Sequence, residues 1–177
     1  MATSPDKTFG LRSSTDLYLK LIYDIDRLRS GGSTKAVQYA AFDAAITASH
    51  ILDWVLHELD EVSHLRLTGV GTGKKGAVGG FIQRNGGMLG GLEFCRQIAN
   101  SVKHVTITMG PVMTNMSTGS TVKLEWQGDR ITNAYAQAFI KIDDQKYSVI
   151  ELFQSMAEQW FLFLEIEGLW VEQPPEE

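Results

Sequence analysis

The stretch TVKLEWQGDRITNAYAQAFIKIDDQKYSVIELFQSMAEQWFLFLEIEG, Thr121–Gly168, changes its hydrophobic period part-way along, and that change decides the fold class. Thr121–Trp126 alternates and is rich in β-prone residues, Gly128-Asp129 is a turn pair, and Arg130–Ile142 returns as a second strand. Within that run Ile131, Tyr135 and Phe139 fall on one face, while the alternate positions carry alanines and Ile140. Asp143-Asp144 marks another turn, after which the period becomes helical. Ser148 and Glu151 form a capping box for a helix to about Glu167, with Ile150, Phe153, Ala157, Trp160 and Leu164 as its apolar stripe and Gly168 as its stop. Phe161 and Phe163 cannot both share the inward arc with Trp160, so some aromatic surface is expected to meet a second subunit. Upstream, Val105–Met109 alternates in the same way and is expected to be a further strand.

Towards the N-terminus the pattern is helical throughout. Ser13 and Asp16 fit a capping pattern for a helix to Arg29, with Leu17, Leu21, Ile25 and Leu28 as its stripe and Gly31-Gly32 after it. Ser33 or Thr34 caps a longer helix read as running to about Val62; Ala41, Ala44 and Ala48 on its core face allow close approach of a neighbour. Between Gly69 and Gly91 lie ten of the chain's 17 glycines, which predicts a mobile loop over 69–91. A third helix spans Leu92–Lys103. The expected fold is α+β: one domain over residues 1–177, mainly a bundle of four main helices, with a small antiparallel β-meander before the last helix and an acidic tail over 171–177.

Composition narrows the class. Lys plus Arg number 16 and Asp plus Glu 21, a net charge of -5, with 44% hydrophobic and 21% charged residues. These values fit a globular core and exclude a disordered chain, a collagen and a disulfide scaffold. A surface coated with positive charge for nucleic acid is excluded as well, which leaves only a local basic patch for any anion. Met1–Gly10 is polar and resembles no signal peptide, and no apolar run approaches the ~20 residues of a membrane span. With a lone Cys95, a cytoplasmic protein that makes no membrane contact is expected.

Three groups of residues are candidates for chemistry. On the second helix Tyr39, Asp43, His50, Asp53, His57 and Glu61 share one polar arc. His50, Asp53 and His57 are there the candidate metal ligands, with a further ligand needed from elsewhere, for which His104 is available; a solvated face is the competing reading. On the third helix Arg96, Asn100, Lys103 and His104 gather beside the apolar face. Arginine can hold a phosphate bidentately, histidine can move a proton near neutral pH and asparagine can fix geometry. Alternatively, Arg96 and Lys103 pair with the acids of the second helix while Asn100 and His104 end the third. In the glycine segment, Gly71-Thr72-Gly73-Lys74-Lys75-Gly76 matches G-x-G-x-x-G in letters, but it follows a helix and Gly79-Gly80 is expected to interrupt any helix after it. No cofactor is therefore expected, and Lys74, Lys75 and Arg84 stand as anion contacts on a loop. Cys95 lies on the apolar side of its helix and reads as a buried thiol.

The segment Cys95-Arg96-Gln97-Ile98-Ala99-Asn100-Ser101-Val102-Lys103-His104 resembles the terminal helix motif of HEPN-like helical-bundle proteins. His50-Ile51-Leu52-Asp53-Trp54, within Ala44–Leu56, is similar to the matching helix of poorly characterised bacterial and phage proteins of comparable length. The resemblance implies a helical bundle and, for its ribonuclease members, metal-independent cleavage of RNA by an Arg and a following His in a cleft between two protomers. Here Arg96 and His104 are separated by seven residues instead of four to six, ~12 Å along a helix axis, so the likeness bears on the fold more than on cleavage. Two functional expectations follow. The first is a non-enzymatic interaction or regulatory module, homodimeric and of the kind found in phage and mobile elements. The second is a HEPN-type ribonuclease or nucleotide-binding protein using Arg96, Asn100, Lys103 and His104, with a metal-binding helical protein as a further alternative.

Overall fold

A computed structural model describes residues 8–103 and 115–172. In chain order it contains α1 (Ser14–Arg29), α2 (Thr34–Glu58), α3 (Glu61–Thr68), α4 (Ala77–Asn85), α5 (Leu92–Lys103), β1 (Met116–Gln127), β2 (Arg130–Ile142), β3 (Gln145–Ser148) and α6 (Val149–Ile166). The class is α+β, with six described helices in place of the four expected. The three strands form an antiparallel sheet in the order β1-β2-β3. The third strand of the meander follows Asp143-Asp144; the Val105–Met109 strand lies outside the described residues.

Local signals account for α1. Asp16 N–H donates to the Ser13 hydroxyl, and the Asp16 carboxylate accepts from Ser13 N–H at 2.9 Å, a complete capping box. Leu17, Leu21, Ile25 and Leu28 are all buried against α2 and α6. A second carboxylate reaches the same helix start from a distance: Glu58, the last residue of α2, accepts from Ser14 N–H at 2.6 Å and from the Ser14 hydroxyl. In α2 the buried Ala40, Ala44, Ala45 and Ala48 let α1, α5 and α6 pack closely around it. From α6, Trp160 sends its indole N–H to the carbonyl of Ala48 at 3.1 Å.

The long second helix expected to reach Val62 is broken. Leu59 leaves the helical region with ψ 139°, and Asp60 caps a new helix by accepting from Ser63 N–H at 2.7 Å. That capping contact holds the Asp60 carboxyl below the 3.8 of an ordinary aspartate. Arg66 of α3 then forms an ion pair with Glu167 just after α6.

The glycine segment is also corrected: Gly79-Gly80 does not interrupt a helix but lies inside α4. A side chain at Gly80 would place its Cβ 1.9 Å from the carbonyl oxygen of Thr68, so the bare Cα is what lets α4 cross the end of α3. Asn85 ties the pair by donating to Leu67 O at 3.1 Å and to Phe81 O at 2.7 Å. Phe81 is buried, stacked on Trp160 at 6.4 Å and edge-on to Phe163 at 5.4 Å. Tertiary contact thus overrides the weak helix propensity of glycine.

At the other end of α6 the aromatic residues are satisfied within the chain. Phe163 joins Trp160 in the core, and the half-buried Phe161 packs on Tyr18 and Trp170 at 6.0 and 5.0 Å. Ser148 occupies the N-cap position of α6 without a capping bond from its side chain. Its hydroxyl is buried without a partner among the described residues, and the expected capping box with Glu151 is not formed.

Two neighbouring substitutions separate packing from propensity in α4. Gly79 has nothing within 4 Å of a new Cβ, so Gly79→Ala should stabilise by about 0.5–1 kcal/mol, whereas Gly80→Ala should destabilise by about 2 kcal/mol or more. Urea unfolding of both variants measures this; equal stabilisation by the two would contradict the α3–α4 crossing.

Candidate functional site

The residues proposed for chemistry are mostly held in structural roles or open to water. His50, Asp53 and His57 lie exposed on the outer side of α2, and among the described residues no group of three or more His, Cys, Asp or Glu side chains is placed to hold a metal. His64 is buried, its Nδ1 2.9 Å from Val70 O at the end of α3, so it fixes the turn into the glycine segment. On α5, Arg96 is held by Glu93 of its own helix at 3.0 and 3.3 Å, and Gln97 donates to the same carboxylate at 2.8 Å. The expected pairing of Arg96 with acids of α2 is therefore replaced by a local i, i+3 pair. Asn100 is half-buried on the same helix; the Lys103 side chain and His104 lie outside the description.

The basic residues of the glycine segment do not converge. Lys74 and Lys75 are exposed in the turn before α4, and the Arg84 guanidinium lies over Gly69, against the C-terminal end of α3. There it faces the negative end of a helix dipole. Cys95 is fully buried, which pushes its thiol up to about 12, out of the range of a nucleophile. The strongest polar network was not foreseen: Asp24, buried between α1 and α2, accepts from Lys20 at 2.6 Å and from the Thr47 hydroxyl at 2.7 Å. Beside it Arg27 bridges to Asp43 at 2.9 Å, a contact that raises the Arg27 pKa. Every charge there has an opposite charge or a hydroxyl within reach, and the network joins the two helices.

Two features have no partner among the described residues. The first is the outer part of the β1–β2 hairpin. Val122 pairs with Ala136, Leu124 with Ala134 and Trp126 with Ile131, and the register slips by one residue at Glu125/Trp126. The slip is a β-bulge at Thr132, and it moves Ile131 from the face of Tyr135 and Phe139 to the face of the alanines. Ile140, Ala138 and Ala136 on that face are buried against the helices, but every residue from Thr121 to Tyr135 is exposed. Val122 is 53%, Leu124 46%, Trp126 59% and Ile131 52% exposed. The core-facing stripe of the sheet therefore continues ~20 Å past the described helices as a two-stranded arm with none of the described residues packed beneath it. Cross-strand alternation predicts which residues share a face but not whether a helix lies under it, so this exposure was invisible in the sequence.

The second feature is a cavity of about 710 Å³ at the root of the arm. Its described lining is mainly apolar, with Phe42 from α2, Ile98 from α5, Ala138 and Ile140 from β2 and Phe153 from α6, and the Arg27–Asp43 pair lies at its rim. Its size falls in the ~300–1,000 Å³ range of binding pockets. Comparison of the chain with protein-family models, with curated proteins and with solved structures finds no match. No helix among the described residues is long and apolar enough to cross a membrane.

The buried thiol makes a pH prediction. Its folded pKa of about 12 exceeds the ordinary 9.0, so the folded state keeps a proton that the unfolded state loses. Stability from this group is complete below pH 9 and is lost as pH rises from 9 towards 12, at up to ~1.4 kcal/mol per pH unit. Urea midpoints between pH 8 and 10.5 should fall more steeply for the native chain than for Cys95→Ala. Parallel slopes would contradict burial of the thiol, as would rapid maleimide labelling of the folded protein at pH 7.

Proposed function

We propose that the protein is a self-associating interaction module, a homodimer that acts by binding and not by catalysis. The observation that carries this reading is the exposed apolar face of the β1–β2 arm. A two-stranded ribbon alone in water is marginal, and one that exposes Val122, Leu124, Trp126 and Ile131 together has the composition of a contact surface. The arm's charges favour a protein partner over a polyanion: Lys123 and Arg130 are matched by Glu125 and Asp129, so no net positive field attracts phosphate. Further support comes from the candidate groups elsewhere, since Arg96 is occupied by Glu93 and Arg84 by a helix end.

Light scattering coupled to size exclusion tests this. A chain of 19.6 kDa should run at twice that mass at micromolar concentrations, and Leu124→Ser/Trp126→Ser should run as a folded monomer with an unchanged helical circular dichroism signal. A monomeric native chain across the accessible concentration range would overturn the reading.

A further inference from the structure

The arm and the cavity are complementary parts of one contact. We infer that the arm tip of each copy docks into the cavity at the arm root of a second copy, with Trp126 as the buried anchor. This rests on the self-association proposed above and specifies its geometry.

Reach keeps the arm tip out of its own chain's cavity. Trp126 lies eight residues along β1 from Thr118, which borders the cavity, a separation of ~26 Å in an extended strand. No side chain spans that distance, so Trp126 cannot fill the cavity of its own chain. A second copy can bring its tip there, and a two-fold axis then makes the contact twice, tip to root and root to tip. A cavity of 710 Å³ accepts the Trp126–Ile131 cross-strand pair, which the bulge at Thr132 places on one face. An aromatic anchor entering a mostly apolar pocket is the usual form of an interface hot spot.

The available area is of the right size. Tyr39 and Phe42, at the cavity mouth, are 63% and 37% exposed. With Val122, Leu124, Trp126 and Ile131 they offer roughly 600 Å² of apolar surface per copy, close to the ~800 Å² per partner of a stable interface. Gln38 donates to the Ser120 hydroxyl at 2.8 Å, which ties the root of the arm to α2 beside the cavity. The Arg27–Asp43 pair at the rim gives the partner's turn, Gly128-Asp129 followed by Arg130, charged groups of both signs to meet.

Site-directed cross-linking in the full chain tests the docking. Copies carrying Asp129→Cys at the tip are mixed with copies carrying Tyr39→Cys at the cavity mouth and treated with a short bismaleimide. The native Cys95 is buried and does not compete. The expected product is the mixed dimer, formed in preference to Asp129→Cys dimers, and Trp126→Ala should raise the dissociation constant by about 30-fold or more. Tip-to-tip products from a dimeric protein would show that arms meet each other and overturn the docking while leaving self-association intact. A dimer giving no cross-link, or native mass spectrometry finding a small molecule in the cavity of a monomer, would also overturn it. A monomeric native chain without such a molecule removes the self-association reading together with the docking.

Discussion

The alanine face of α2 is the constraint on which the rest of the molecule depends. With Ala40, Ala44, Ala45 and Ala48 buried, α2 presents almost backbone alone to its neighbours. The Ala48 carbonyl is close enough to take the Trp160 indole proton at 3.1 Å. Through Trp160 this contact positions Phe81 and Phe163, and through Phe81 it seats α4, which in turn requires the bare Gly80 against Thr68. Larger side chains along that face would separate α1, α5 and α6 together. Packing of this kind transmits small changes in volume directly into the core.

The same helix explains why the sheet is only half covered. Gln38, on the first turns of α2, reaches Ser120, the last β1 residue before the exposed part of the arm. Beyond that point the hairpin extends past the described helices, yet its side chains keep the core pattern, with Val122, Leu124, Trp126 and Ile131 on the face that is buried further back. A core stripe that continues past the described helices has the composition of a contact surface, which is the basis of the self-association proposed above. The cavity at the root of the arm is the hollow proposed to receive it.

Much of the fold was legible where its cause is local. The Ser13–Asp16 box, the Leu17–Leu28 stripe, the Gly128-Asp129 turn and the stripe of α6 each rest on residues within a few positions of one another. Most of the readings that failed depended on more than the local pattern, although the Ser148–Glu151 box failed within four residues. Helical periodicity runs through Leu59 and Asp60, and only the cap to Ser63, tied in place by Arg66 and Glu167, breaks it. Glycine content spoke against α4, whereas Gly80 is required there by the approach of Thr68. The bulge at Thr132 shifted Ile131 to the other face, which strict alternation could not foresee. For the candidate site, the Glu93–Arg96 pair was within reach of an i, i+3 reading, but the open face of the arm depends on where the helices end.

Self-association as proposed requires that a second copy cover the arm's apolar face. Amide hydrogen exchange at a series of protein concentrations measures this most directly. If a second copy covers the arm, protection over residues 121–135 rises with concentration while that of α3, which does not line the cavity, stays constant, because a lone two-stranded ribbon exchanges quickly and a covered one does not. Protection of the arm that is independent of concentration, in a chain that remains folded throughout, would contradict it.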